Sequence, residues 1–417
     1  MIDLESIYLQ ALGQCSPERL IAVRRARSAG FKTVVAIGKC AGRLVDGLGD
    51  FERAFVAIPK GYPPPVILSA EEREESGRGQ ASHHPDSSPS SRLRMTRGGH
   101  PDIDDDSFRA GDQLLRFIDE SDDVLFLISG GGSACVEVPL DPFTRDEIVT
   151  TNRQLVASAL PIGDINIVRK HLSAIKGGRL AARVRGRSLT LVYSDVSTGA
   201  IGDVASGPTV ADSSTNEHAA QLLERIGGSA RVVEKLRDPK LPETIRDVAS
   251  SRAEIIADNM TLTATAARLV RGAGFEPVLW PDQIETPVDE AAQFLADRCR
   301  SLRRREVLVA GGEPTVARRG SGRGGRCCEL AVRFALGSDN PALFGSSDGL
   351  DGSSGIAGVV VHGGAGRIAG TLRKLLDTSD SLEAAHLIGR AVIIPPTGNN
   401  LRDLFLVAAD NGVMAQP

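Results

Sequence analysis

The sequence predicts an α/β protein built around a parallel sheet, and three observations carry that expectation. Short apolar runs rich in β-branched residues recur along the chain. Several are followed at once by glycine or serine, and the small-residue turn then gives way to a helix-like amphipathic stretch. This is the order that lays down a parallel sheet, because parallel neighbours need a crossover and the crossover is usually a helix. The expected strands are 33–37, 55–58, 124–128 and 189–193, then 254–257, 277–280, 307–310, 358–361 and 404–408.

At 417 residues the chain exceeds the size at which one hydrophobic core keeps growing, so two domains are expected. Pro239 and Pro242 interrupt helical patterning in 238–251, which sets the expected domains at 1–240 and 250–417. The stretch 69–97 breaks the strand-turn-helix order with Glu71-Glu72-Arg73-Glu74-Glu75, His83-His84 and a serine/proline tract. It reads as a mobile surface insertion.

Composition narrows the partners. A net charge of -4 offers no basic footprint for nucleic acid, and 4% aromatic residues with a single tryptophan, Trp280, offer no stacking platform. The six cysteines (Cys15, Cys40, Cys135, Cys299, Cys327, Cys328) show no CxxC or zinc-like spacing and read as reduced thiols. The opening residues Met1-Ile2-Asp3-Leu4-Glu5 lack a signal peptide's basic and apolar regions, and no apolar run is long enough for a bilayer. A cytoplasmic protein without membrane or nucleic-acid partners is the expectation.

Four segments carry candidate chemistry. Ser129-Gly130-Gly131-Gly132-Ser133-Ala134 follows an expected strand, where glycines let backbone amides close on a phosphate or carboxylate. Gly38-Lys39-Cys40-Ala41-Gly42 also follows a strand. It is not a P-loop, since Cys40 replaces the hydroxyl residue, but Lys39 can still neutralise an anion. Gly311-Gly312-Glu313-Pro314-Thr315 precedes a GxGxxG-like stretch, Gly320 to Gly325, that no strand leads into. An arginine-bearing loop closing on phosphates fits it better than a dinucleotide fingerprint. Gly345-Ser346-Ser347-Asp348-Gly349 matches the hydrolase nucleophile elbow in letters, yet loop chemistry rather than a helix follows. Asp348 and Asp351 there read as base, metal ligand or turn cap. Cation-rich 166–181, with Lys176, reads by itself as a solvated helix face.

In this order, with Gly99-His100-Pro101-Asp102, Arg169-Lys170-His171-Leu172-Ser173-Ala174-Ile175-Lys176-Gly177-Gly178, Ser194-Asp195-Val196, Gly324-Gly325-Arg326, Asp348-Gly349-Leu350-Asp351-Gly352 and Pro396-Thr397-Gly398-Asn399-Asn400, the segments resemble the glycerate 2-kinase family, whose C-terminal part is called MOFRL. The resemblance implies an N-terminal Rossmann-like domain with a parallel sheet and a smaller C-terminal α/β domain, the active site lying in the cleft between them. It implies phosphoryl transfer from ATP, with Mg2+, to a small hydroxy acid, D-glycerate giving 2-phosphoglycerate, and it leaves a homodimer open. Carried over by motif, Lys39, Arg326, Asp195 and Asp351 would be catalytic, with Asp195 also the metal ligand. Ser129, Gly130, Gly131, Gly132, Ser133, Lys176, Glu313 and Asp348 would bind nucleotide or substrate. Alanine at Lys39 or Arg326 is expected to abolish turnover and spare the fold.

Three positions depart from the family pattern. Ser197-Thr198-Gly199-Ala200 stands where Pro-Gly-Asp-Asp is usual, Cys327-Cys328 where Asn-Gln is usual, and Ser353-Ser354-Gly355 where Pro-Thr-Asp is usual. Two readings therefore stand beside the kinase: a non-catalytic relative that binds nucleotide or metabolite, and a hydroxypyruvate reductase, for which no strand-led GxGxxG is evident.

Overall fold

The computed structural model describes residues 2–28, 30–66, 93–197, 199–248, 251–363 and 365–409. The chain forms two compact units: Pro17–Ile256, and Met1–Ser16 together with Ala257–Pro417. The helix Leu4–Gln14 thus belongs with the C-terminal half. It is N-capped by Asp3, and its fully buried Tyr8 donates to the Ser346 carbonyl at 2.6 Å. Nothing in the composition of that helix told which half it would join.

In the first unit, β1 (Thr33–Ile37), β2 (Arg53–Pro59), β3 (Leu93–Gly98), β4 (Val124–Ser129), β5 (Ser188–Tyr193) and β6 (Ser251–Ala257) form one sheet in the order β3-β2-β1-β4-β5-β6. The β1–β2, β2–β3, β1–β4 and β4–β5 pairings are all parallel. Every residue of β4 is buried, which explains its uninterrupted apolar sequence, since strands covered on both faces need no alternation. The chain builds outward from β1 to β3 and then returns to place β4 on the other side of β1. That reversal leaves a crevice at the carboxyl ends of β1 and β4, where open α/β sheets bind ligands.

Of the expected insertion, 69–92 lies outside the described residues. Its last part is corrected: 93–97 belongs to β3, an edge strand whose side chains are mostly half-buried or exposed. The arginines of Leu93-Arg94-Met95-Thr96-Arg97 mask a strand because an edge tolerates charge.

The second unit holds a mixed sheet: β7 (Glu276–Ile284), β8 (Glu306–Gly312), β9 (Ala342–Ser346), β10 (Gly358–Val361), β11 (Gly389–Val392) and β12 (Asp403–Ala408), in the order β11-β10-β9-β12-β8-β7. Only β7 and β8 pair in parallel; the remaining pairings are antiparallel. The helix Arg326–Gly337 lays Leu330, Ala331, Phe334 and Ala335 into the core, where the rings of Phe334, Phe344 and Phe405 follow one another at 5.3 and 5.9 Å. Among the described residues no helix is long and apolar enough to cross a membrane.

Candidate active site

At the carboxyl end of β1, Gly38 has φ +113°, and a β-carbon there would overlap the carbonyls of Ser129 and Gly130. Only glycine lets the β1 turn lie this close to the β4 turn. Two bonds then clamp the turns together: Lys39 N–H donates to the Gly130 carbonyl at 2.8 Å, and Cys40 N–H to Ser129 Oγ at 3.0 Å. The hydroxyl of Ser129 is fully buried and so builds the loop.

The exposed side of this turn gathers three functional groups. A β-carbon on Gly131 (φ +81°) would stand 2.9 Å from Lys39 Cγ and 3.3 Å from His100 Cδ2, and one on Gly130 would overlap the Asp195 carboxylate. Lysine from the end of β1, aspartate just beyond β5 and histidine just beyond β3 therefore converge on two bare glycines. Gly132 opens the short helix Gly132–Cys135, and Ser133 Oγ lies 2.8 Å from Ser206 Oγ. Packing of the ring, with the charges of Lys39 and Arg169, pushes the His100 pKa down to about 4, although part of the side chain meets solvent. The imidazole is neutral at pH 7 and can donate or accept a hydrogen bond. His100 was within reach of the sequence only as part of a motif, because a histidine between glycine and proline gives no chemical signal by itself.

Gly130→Ala is expected to drive the Asp195 carboxylate off the turn. Turnover should fall about a hundredfold or more, as for loss of a positioned charged group, while the melting temperature changes little. Steady-state kinetics with a thermal melt checks this, and an unchanged kcat/KM would contradict it.

A second cluster occupies strand ends of the other unit. Arg326, first residue of its helix, donates through Nε to Asp403 Oδ2 at 2.6 Å and through Nη2 to Asp403 Oδ1 at 3.2 Å. Its Nη1 lies 2.7 Å from Glu313 Oε1, and Arg402 Nε lies 3.3 Å from Glu313 Oε2. Asp403 is completely buried. Burial raises its pKa to about 6, although Arg326 pulls the other way. Arg326 remains one-third exposed. Glu313 and Arg326 sit in motifs legible in the sequence; Asp403 does not, since it merely precedes the apolar run 404–408. Its register places it beside Gly312 and Ser346, at the ends of β8 and β9.

The other candidates take structural positions. Asp351 is buried and caps the helix at Arg326, its two oxygens accepting from Cys327 N–H at 3.0 Å and Cys328 N–H at 2.8 Å. Asp348 Oδ1 accepts from Leu350 N–H and Ser346 Oγ, both at 2.8 Å, closing a turn. Lys176 is buried, its ammonium paired with Glu137, and burial pulls its pKa down. Ser347 is buried too, its Oγ accepting from Leu401 N–H at 2.7 Å, so it is no exposed nucleophile. The Gly320–Gly325 stretch follows no strand and is held by Ser379 Oγ and the Thr378 carbonyl.

A cationic side chain and a carboxylate on a glycine turn at a Rossmann-type switch point define an α/β protein that handles small anionic ligands. The family models agree with this class: the domain of unknown function DUF4147 matches residues 3–238, and the MOFRL family residues 306–403. The chain is 31% identical over 395 residues to the D-glycerate 2-kinase of Thermotoga maritima, spanning 89% of each protein. It is 35% identical over 394 residues to an Agrobacterium vitis protein provisionally named hydroxypyruvate reductase, spanning 88% of this chain and 86% of that one. The crystal structure of glycerate kinase from Thermotoga maritima matches with a TM-score of 0.81 at 28% identity, covering 97% of this chain and 98% of that one. The chain belongs to the glycerate 2-kinase family.

Proposed function

We propose that this protein transfers the γ-phosphoryl group of ATP to the 2-hydroxyl of D-glycerate, giving ADP and 2-phosphoglycerate. The observation that carries the reading is the convergence of Lys39 and Asp195 on the bare Gly130-Gly131 turn at the β1/β4 switch point. Phosphoryl transfer asks little covalent chemistry of a protein. It needs reactants held in line and cations placed where negative charge spreads. Lys39 supplies such a charge on a flexible stem, and the bare glycines let it pack against the turn beside Asp195 and His100. In the other unit the planar fork of Arg326 is oriented by both oxygens of Asp403, which leaves its charge preorganised for an anion.

The donor set fits a magnesium ion shared with nucleotide phosphates. Magnesium characteristically takes one or two protein carboxylates and keeps water or phosphate for the rest. Among the described residues no group of three or more His, Cys, Asp or Glu side chains could hold a metal, while Asp195 offers one carboxylate at the turn. Asp195 would hold the ion, which when bound would neutralise phosphate charge.

A coupled ADP assay with ATP-Mg2+ and D-glycerate, run beside isothermal titration of both, tests the reading. ADP release dependent on D-glycerate is the expected result. Binding without turnover would favour a non-catalytic relative, and NADH oxidation with hydroxypyruvate would favour the reductase.

A further inference from the structure

Arg169 carries a largely buried charge with no carboxylate bonded to it. Its Nε and Nη2 both donate to a single neutral atom, Asn152 Oδ1, at 3.0 and 2.9 Å. The carboxylate whose field it feels, Glu137, is committed elsewhere. One Glu137 oxygen takes the Lys176 ammonium, and the other accepts from Ser173 Oγ at 2.5 Å and Val138 N–H at 2.9 Å. Among the described residues, Asn152 Nδ2 is buried with no acceptor, and Arg169 Nη1 makes no hydrogen bond. A mostly buried guanidinium held by one neutral acceptor, with a free edge beside a buried amide that lacks an acceptor, is costly to keep, and such a pair persists where a ligand supplies the missing acceptors.

The position of Arg169 says where such a ligand would sit. One turn earlier on the same helix, Asn166 accepts from Ser206 Oγ at 2.9 Å, and Ser206 Oγ in turn meets Ser133 Oγ of the glycine turn at 2.8 Å. Residues three apart share a helix face, so Arg169 lies on the face that this relay ties to the turn. Its charge also reaches His100, whose ring flanks Gly131 beside Lys39.

We propose that Arg169, oriented by Asn152, binds the carboxylate of the acceptor hydroxy acid and makes the enzyme prefer acids to neutral alcohols of the same shape. The planar guanidinium matches a carboxylate in a way that a lysine cannot. The proposal rests on the kinase reading for its substrate, but its test has a readout that does not need turnover.

Isothermal titration with D-glycerate, D-glyceramide and ATP-Mg2+ compares wild type with Arg169→Ala and with Arg169→Gln, which keeps a donor for Asn152. Thermal melts confirm folding. Both variants should bind D-glycerate about 30- to 100-fold more weakly, the effect of losing a charge-assisted pair. Binding of ATP should change by no more than about twofold, within the spread expected for groups that do not touch the residue, and binding of the amide, which loses a hydrogen bond but no ion pair, by several-fold less than that of the acid. In kinetics the KM for the acid should rise by the same factor. Unchanged D-glycerate binding in a folded variant would overturn the proposal, as would equal weakening of acid and amide, or a selective loss of ATP. Wild type that binds D-glycerate through Arg169 without turning it over would sink the kinase reading alone. Wild type that does not bind D-glycerate sinks both.

Discussion

Lys39→Ala is expected to lower kcat/KM with D-glycerate and ATP by about 10²- to 10³-fold or more, the scale seen when a preorganised charge at a transition state is removed. The fold should survive. The part of Lys39 that builds structure is its backbone N–H, bonded to the Gly130 carbonyl, and alanine keeps it. The side chain's recorded contact is the face of Tyr62, 5.9 Å from the ammonium, which contributes little at a solvent-facing site. Stability should therefore stay within about 0.5 kcal/mol. Steady-state kinetics paired with urea unfolding separates the two outcomes. Near-normal turnover would remove Lys39 from the site, and a large loss of stability would make its role structural.

Arg326→Ala should abolish turnover as well, but here the structure departs from the expectation that the fold is spared. Removing the guanidinium leaves Asp403 completely buried with no bidentate partner. Breaking a buried pair by deleting one member typically costs about 3–5 kcal/mol. The sign of the pH dependence follows from the raised pKa of Asp403. Between about 4 and about 6 the folded protein keeps a proton that the unfolded chain has released, so stability falls as pH rises through that window. Without Arg326 the folded pKa climbs further, and the decline should extend to higher pH. The double variant Arg326→Ala/Asp403→Asn removes the charge itself. It should recover most of the lost stability and flatten the added pH dependence while remaining inactive. Urea unfolding across pH, with ADP release measured on the same samples, checks this. Stability recovered together with activity would mean that Arg326 matters only through Asp403.

Much of the first unit was legible because its inner strands, β1, β2, β4 and β5, are almost wholly buried and so read as apolar runs. The run 124–128 is one such strand, and the turn after it was identifiable from three consecutive glycines. That Lys39, Asp195 and those glycines share one place was not legible from the residues themselves, since it depends on the strand order that sets β4 between β1 and β5. The second unit was harder to read. Ala342–Ser346 and Gly389–Val392 are short and contain glycine, and only pairing with their neighbours in the sheet makes them strands. Carboxylates were hard to tell apart for a related reason. Asp195, Asp351 and Asp403 look alike in the sequence, yet one lies on an open glycine turn, one caps a helix with both oxygens, and one is buried under an arginine. Lys176 came with a cation-rich stretch that suggested a solvated face, and its partner Glu137 is 39 residues away, beyond any local pattern.

The account is tested most directly by incubating the purified protein with ATP-Mg2+ and D-glycerate and following the products by phosphorus NMR. It predicts that ADP forms together with one phosphomonoester split into a doublet, because phosphorus on the 2-oxygen couples to the single proton of that carbon. A triplet would place the phosphoryl group on the 3-oxygen, beside two protons, and ATP left unconsumed by D-glycerate would contradict the phosphotransfer itself.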